Sequence, residues 1–335
     1  MRLLVTGGAG YIGSVVAAQL ADDAHDVVVL DDLSTGHADA VPAAASFCRG
    51  TIRDESLTVL GTGIDAVLHF AAKSLVGESV QYPARYWENN LGGTLALLEA
   101  MRATQTRRIV FSSTAAVYGE PEHIPVTETD PVRPTSPYGA SKVAVDTALA
   151  EHARMHQIGA VSLRYFNVAG AHADAAGTWR GERHDPETHL IPTILAVALN
   201  EGAQHEGGRA GGRQVRLFGD DYPTPDGTCI RDYIHVSDLA RAHVLALEAT
   251  APGLHQVYNL GSGTGYSNRE VLAACREVTG RQIPAQMAPR RPGDPAVLVA
   301  SSEAIAAELG WRAERELHSM VADAWAFAQL AAQAR

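Results

Sequence analysis

Two side chains four residues apart carry the first chemical signal: Tyr138 and Lys142, in the run YGASK. On a helix, positions i and i+4 share a face. A free phenol titrates at about 10 and is a poor base at neutral pH. An ammonium beside it, or a cationic nicotinamide ring, favours the phenolate and makes the pair a usable acid/base. A lone pair of this kind is common surface decoration. Here it follows FSSTAAVYG at 111–119. Thr114 sits at the end of that strand-like run, where its hydroxyl falls at the carboxyl edge of a sheet, the edge at which open α/β folds bind ligands. Thr114, Tyr138 and Lys142 form the candidate catalytic set.

The second signal is GGAGYIG at 7–13. Gly7, Gly10 and Gly13 are spaced by three, and Gly8-x-Gly10-x-x-Gly13 fits the dinucleotide fingerprint. Glycines permit a tight turn, let backbone approach a pyrophosphate and let helix pack on strand. The helix N-terminus then faces the phosphates. Asp31 closes the next strand, where a carboxylate accepts from ribose hydroxyls and repels a 2′-phosphate, so NAD is expected rather than NADP.

Elements must hold these residues in place. Arg2 to Thr6 is a short apolar run ahead of the glycines. DVVVL at 26–30, IDAVLHF at 64–70, RIVFS at 108–112 and Ala160 to Leu163 are further runs without alternation, as buried parallel strands require. Helical stretches lie between them, notably Asn90 to Thr104 and Tyr138 to His156. The pattern predicts an α/β fold, a Rossmann-like doubly wound parallel sheet. From about Asn167 the texture changes to Gly, Pro and His. Residues 1–167 are expected to form the NAD-binding domain, with later segments returning to it. Residues 168–335 are expected to form mainly a smaller, partly interleaved substrate lobe. The stretch 202–212 reads as a flexible surface loop. Ser237 reads as the N-cap of a helix that follows Tyr233–His235.

The composition is ordinary for a globular chain: 335 residues, 46% hydrophobic and 19% charged. The net charge, 27 − 38 = −11, makes it a poor general nucleic-acid binder. Cys48, Cys229 and Cys275 form no CxxC pair, which points to free thiols in a reducing cytosol and to neither disulfides nor a zinc site. The opening MRLLVTGG leaves no room for a leader peptide before the first motif, and no apolar run reaches membrane-spanning length. A cytoplasmic protein without membrane or metal is expected.

A Ser/Thr, Tyr and Lys set with a glycine turn resembles the short-chain dehydrogenase/reductases, and at this length their extended branch. Further segments narrow the likeness: DDLSTG (31–36), HFAAKSLVGES (69–79), YWENNLGGT (86–94), SPYGASK (136–142) and LRYFNVAGAH (163–172). The second half adds LFGDDYPTPDGTCIRDYIHVSDLA (217–240), YNLGSGTGYS (258–267) and APRRPGD (288–294). Together they resemble the UDP-glucose 4-epimerase family from end to end.

The resemblance implies roles for matching positions. Tyr11, Ile12, Asp31 and the loop Asp32, Leu33, Ser34, Thr35 and Gly36 would hold NAD. Phe70, Ala71, Ala72 and Asn90 would line its inner portion, with Ser112 and Phe166 nearby. Tyr138 would be the base, Lys142 would hold the nicotinamide ribose and Thr114 would bond the sugar O4. Asn167, His189, Leu190, Arg216, Leu217 and Phe218 would approach the nucleotide sugar. Arg231 and Arg291 would bind its diphosphate, Asp294 its uridine ribose, and Leu298 would shape the wall around C2. The sequence departs from the family in three places, one of them the loop 202–212, which is longer than usual. Thr51, beside Ile52, stands where an acidic residue often meets adenine, and Lys73 comes one position early, before Ser74. The implied activity is interconversion of UDP-glucose and UDP-galactose, in a homodimer. Rival readings are epimerisation of another UDP sugar, a 4,6-dehydratase and a non-catalytic NAD-binding regulator. Ala115 and Ala116, where a dehydratase carries acids, argue against the second. The intact catalytic set argues against the third.

Overall fold

The apolar runs do not alternate because both faces of the sheet they form are covered. The computed structural model describes residues 1–203, 214–291 and 293–333. Seven strands lie in the order His255–Leu260, Gly159–Tyr165, Arg108–Ser112, Ala66–His69, Arg2–Thr6, Asp26–Asp31 and Ser46–Arg49. All six pairings are parallel. Winding reverses between Arg2–Thr6 and Ala66–His69, the switch point of a Rossmann-like doubly wound sheet.

Successive side chains leave each strand on opposite faces. Leu3, Val5, Val27 and Val29 pack with Val15 and Val16 of helix Tyr11–Asp22 and with Leu239 and Ala240 of helix Val236–Ala249. Leu4, Val28 and Leu30 pack on the other face with Leu60, Leu97 and Leu149, from helices Ile52–Leu60, Gly93–Thr104 and Pro137–His156. Each such side chain, once buried, contributes about 1.5–3 kcal/mol.

The chain after residue 167 is interleaved with what precedes it. Strand His255–Leu260 forms the outer edge of the main sheet beside Gly159–Tyr165, and Val236–Ala249 covers one face. A second sheet centres on Ile230–His235, which pairs with Gly265–Ser267, Val297–Leu298 and Asn167–Ala169. Helices Leu190–Ala203, Asn268–Thr279 and Leu317–Gln333 close a separate apolar core around Ile194, Leu195, Leu272 and Met320.

Three local expectations change. The helix expected from Asn90 begins as a π-helical turn, Trp87–Gly92, before the α-helix Gly93–Thr104. Ser237 is not the N-cap. His235 is, its Nδ1 accepting the Ser237 N–H at 3.0 Å, while the Ser237 hydroxyl is engaged with His172 Nδ1 at 3.0 Å. At 202–212, Gly202 and Ala203 belong to helix Leu190–Ala203, and 204–212 lies outside the described residues.

Candidate active site

The switch point opens into a cavity of about 680 Å³. Its floor is the glycine turn. Gly7 adopts φ +71°, and a Cβ there would lie 2.6 Å from the Ala71 nitrogen. A Cβ on Gly13 would lie 2.3 Å from the Gly7 carbonyl oxygen. Only glycine lets turn, helix and neighbouring strand approach this closely. Helix Tyr11–Asp22 starts at Gly10 with no side-chain cap and no acidic residue in its first turn. Its leading amides are left for an anion, and the helix dipole favours one there.

Asp31 is buried at the tip of its strand and accepts N–H bonds from Ala9 at 3.0 Å and Leu33 at 2.8 Å. Burial raises its pKa, opposed by those two bonds. The carboxylate thus ties the glycine turn to the following loop while lining the cavity. Amides without a cap, a close-approach cradle and this carboxylate together fit a dinucleotide.

Thr114 caps the short turn after strand Arg108–Ser112, its hydroxyl accepting the Ala116 N–H at 3.1 Å. Ser136 caps helix Pro137–His156, which starts at proline and presents Tyr138 and Lys142 to the same cavity. The Lys142 Nζ donates to the Ser112 carbonyl at 2.9 Å and lies 5.9 Å from the Tyr138 ring centroid. Burial lowers the Lys142 pKa to about 7, opposed by the Asp146 carboxylate. Burial also pushes the Tyr138 phenol up, opposed by its hydrogen bond with Thr114. In the protein itself, desolvation sets the direction of the phenol's shift and the Thr114 hydroxyl is the group that opposes it.

Most residues expected at the site do line the cavity. On the cofactor side these are Gly7, Gly10, Tyr11, Ile12, Gly13, Asp31, Asp32, Ser34, Thr35, Gly36, Thr51, Ile52, Phe70, Ala71, Ala72, Lys73, Ser112 and Phe166. Farther out lie Asn167, His189, Arg231, Asp294 and Leu298. Seven do not form its wall. Leu33 gives its N–H to Asp31. Asn90 is buried behind the wall, where it holds the Lys73 N–H at 2.8 Å and carbonyl at 3.0 Å. Leu217 points into the lobe's core and Leu190 packs against it. Arg216 and Arg291 stack on Phe218 at 5.2 and 4.7 Å. Arg291 also pairs with Asp294 at 3.2 Å. Phe218 is the seventh, whereas Thr51 does line the cavity, where it caps helix Ile52–Leu60 and donates to Asp54 at 2.8 Å.

The sequence reading missed Glu182 and His184, which line the cavity beside His189. The Glu182 Oε1 lies 2.9 Å from His184 Nδ1 and 2.5 Å from His189 Nδ1. The signal was the doubled E-x-H in ERHDPETH at 182–189. His69 was missed too. It bridges Thr6 at 2.7 Å and Thr94 at 2.8 Å, and burial holds it neutral, its pKa lowered to about 3.

A glycine cradle at a sheet switch point, facing a Thr–Tyr–Lys set, defines the dinucleotide-dependent class of doubly wound enzymes. Residues 3–261 match the model of the NAD dependent epimerase/dehydratase family, and the chain belongs to that family. It is 53% identical over 329 residues to a UDP-glucose 4-epimerase of Corynebacterium glutamicum, covering 98% of this chain and 95% of the relative. It is 54% identical over 330 residues to one of Streptomyces lividans, covering 97% and 95%. A solved UDP-glucose-4-epimerase from Stenotrophomonas maltophila, with bound NAD and formylated UDP-arabinopyranose, superposes with a TM-score of 0.91 at 40% identity, all of both chains covered. Among the described residues, no helix is long and apolar enough to cross a membrane.

Proposed function

We propose that this chain is a UDP-glucose 4-epimerase that inverts C4 of a UDP-hexose. The observation that carries the reading is the convergence of Thr114, Tyr138 and Lys142 on a cavity whose outer wall holds Arg231, Asp294 and His189. Bound NAD supplies the acceptor and donor of the C4 hydride. Gly7, Gly10 and Gly13 give backbone room for its pyrophosphate, and Asp31 accepts from its adenosine ribose. Thr114 holds the sugar O4. Tyr138 removes the O4 proton as C4 is oxidised and returns it after the 4-keto sugar has turned over, so proton and hydride both balance over the cycle. Lys142 bonds the nicotinamide ribose and, when protonated, favours the Tyr138 phenolate. Arg231 and His189 serve the diphosphate and Asp294 the uridine ribose.

Residues 1–167, with helix Val236–Ala249 and strand His255–Leu260, make the NAD-binding unit in this reading. The remainder is the UDP-sugar lobe. Ala115 and Ala116 line the cavity beside Thr114 and offer no acid for water elimination, which favours epimerisation over dehydration. Two neighbouring helices, Gly93–Thr104 and Pro137–His156, leave Leu95 and Met155 exposed, and Trp87 is exposed just ahead of the first. We read these helices as halves of a four-helix bundle in a homodimer. A monomer in light scattering at micromolar concentration would contradict that. Unpaired Cys48, Cys229 and Cys275 suit the reducing cytoplasm.

The test is turnover of UDP-glucose, UDP-galactose and UDP-N-acetylglucosamine, read by product identity. Interconversion of the first two without added reductant is the expected result. Conversion of neither would overturn the reading.

A further inference from the structure

The segment 182–189 leads from strand Trp179–Gly181 into helix Leu190–Ala203 and carries E-x-H twice. It folds so that one buried carboxylate, Glu182, serves both imidazoles through their Nδ1 atoms, at 2.9 and 2.5 Å. Glu187 stands 3.4 Å from His189 Nδ1. A carboxylate oxygen and an unprotonated Nδ1 are both acceptors and repel at 2.5 Å, so Nδ1 of His189 carries a proton. The side chain of Glu182 is 7% exposed and that of His189 47% exposed. The carboxylate is withdrawn from solvent while the ring reaches the cavity. With Nδ1 committed, Nε2 is the ring nitrogen left to meet a ligand.

We propose that Glu182 is a positioning residue that fixes His189 as an imidazolium, whose Nε2–H is offered to the diphosphate of the nucleotide sugar. The inference rests on the epimerase reading and deepens it. The charge matters because Lys73 lines the cofactor side of the cavity, and the other cations that line it have protein partners. Arg231 spends one NH group on the Ile230 and Pro295 carbonyls, both at 2.8 Å, and faces Asp294 at 3.6 Å. Lys142 is bonded to Ser112 at the inner end. In a chain of net charge −11, a dianionic ligand needs a fixed positive group near its phosphates.

The groups facing His189 are Glu182, Glu187 and His184 from its own segment. Tyr11 of the first helix adjoins the same two carboxylates, and Arg231 and Asp294 stand on the cavity wall. Tyr11 donates to the Gly170 carbonyl at 2.7 Å and is held neutral by burial and by Glu182 and Glu187. Burial alone would lower the His189 pKa, but the two carboxylates raise it to about 10. The carboxyl of Glu182 is held down at about 2, burial opposed by both histidines.

The four ligating atoms lie within 4.8 Å of one another, which also suits a divalent cation. Two observations favour the ion pair. The contacts of 2.5 and 2.9 Å are shorter than the roughly 3.3 Å expected between ligands of a tetrahedral zinc. Glu187 is also occupied in accepting the Thr188 and His189 backbone N–H groups at 2.8 Å.

The test is UDP-glucose affinity against pH for full-length, cofactor-loaded protein. Calorimetry in a Tyr138→Phe background removes turnover, and kcat and KM are measured with Tyr138 intact. With Glu182 present, affinity should stay flat from pH 6 to 9. With Glu182→Gln it should match at pH 6 and fall about tenfold by pH 9, because Glu187 alone, at 3.4 Å, holds the ring's proton less firmly than the two carboxylates together. The loss should fall on KM, with kcat within about twofold. His189→Asn should weaken binding equally at every pH. That variant also decides the matter if Glu182→Gln fails to fold. A pH response of Glu182→Gln parallel to the parent's, or His189→Asn binding like the parent, overturns the proposal. So does stoichiometric zinc by elemental analysis that disappears in Glu182→Gln. If the protein binds UDP-glucose but does not epimerise it, the epimerase reading fails while the clasp is still tested. If it does not bind UDP-glucose, both fail.

Discussion

Replacing Lys142 with methionine should make the folded protein more stable and the enzyme inactive. Lys142 is 2% exposed and burial lowers its pKa from 10.5 to about 7. Between those values the unfolded chain binds more protons at this site than the folded one. The stability contribution therefore improves as pH rises from about 7 towards 10.5, and the penalty is full below 7. At about 1.36 kcal/mol per pH unit, the full penalty is about 5 kcal/mol. Near pH 9.5 about 1.4 kcal/mol of it remains. Methionine fills similar space without charge, but it strands the Ser112 carbonyl and removes a cation near Asp146, at a cost of about 1–3 kcal/mol. The variant should be more stable by about 2–4 kcal/mol at pH 6.5, with the gain gone or reversed by pH 9.5. Urea unfolding of cofactor-stripped protein at pH 6.5, 8 and 9.5 reads this difference, and product formation from UDP-galactose reads the activity. A variant less stable at pH 6.5, or a gap that ignores pH, would refute the claim that Lys142 is held in the site against its solvation.

Tyr138→Phe should keep the melting temperature and lose at least about two orders of magnitude in kcat; near-normal turnover would remove Tyr138 from the chemistry. Gly13→Ala forces a Cβ to within 2.3 Å of the Gly7 oxygen, so the turn must shift. Protein denatured after purification should release NAD from the wild type and much less from this variant, and equal release would count against the cradle. Leu298 lines the cavity beside Asp294, so Leu298→Tyr should lower kcat/KM for UDP-N-acetylglucosamine relative to UDP-glucose by about tenfold. An unchanged ratio would mean that Leu298 does not shape the C2 side.

Sequence and structure part company where long-range placement matters. The strands were legible because burial on both faces leaves continuous apolar runs such as DVVVL, and the cradle because only glycine tolerates its contacts. Arg216 and Phe218 were not. Their strand alternates, sending Leu217 into the core, and the ring of Phe218 serves as a stacking surface for Arg216 and Arg291. The E-x-H repeat spells out its residue types but not that Glu182 becomes buried between two imidazoles. The Tyr138–Lys142 spacing reveals a shared helix face and misses the burial of both side chains, which pushes the Tyr138 phenol up and the Lys142 ammonium down.

The burial of Lys142 also links it to a strand from the second half that returns to the main sheet. Asp146 follows Lys142 by four residues, so Tyr138, Lys142 and Asp146 occupy one face of helix Pro137–His156. Asp146 is the group that opposes the desolvation of Lys142, and as a buried carboxylate it must itself be held charged. Arg164 does this, with Nη2 at 3.0 Å from Asp146 and its other Nη donating to the Tyr118 hydroxyl at 3.1 Å. Tyr118 in turn donates to Asn259 at 2.7 Å, and Asn259 donates to the Val126 carbonyl at 3.0 Å. Asn259 lies on the returning strand His255–Leu260. The charge of the catalytic lysine is thus supported from the far edge of the sheet. Asn259→Leu should accordingly shift the alkaline pH dependence of kcat without touching the cavity wall, because it loosens the far end of the chain that ends at Lys142. A kcat–pH profile identical to wild type, at unchanged stability, would show that the network merely packs.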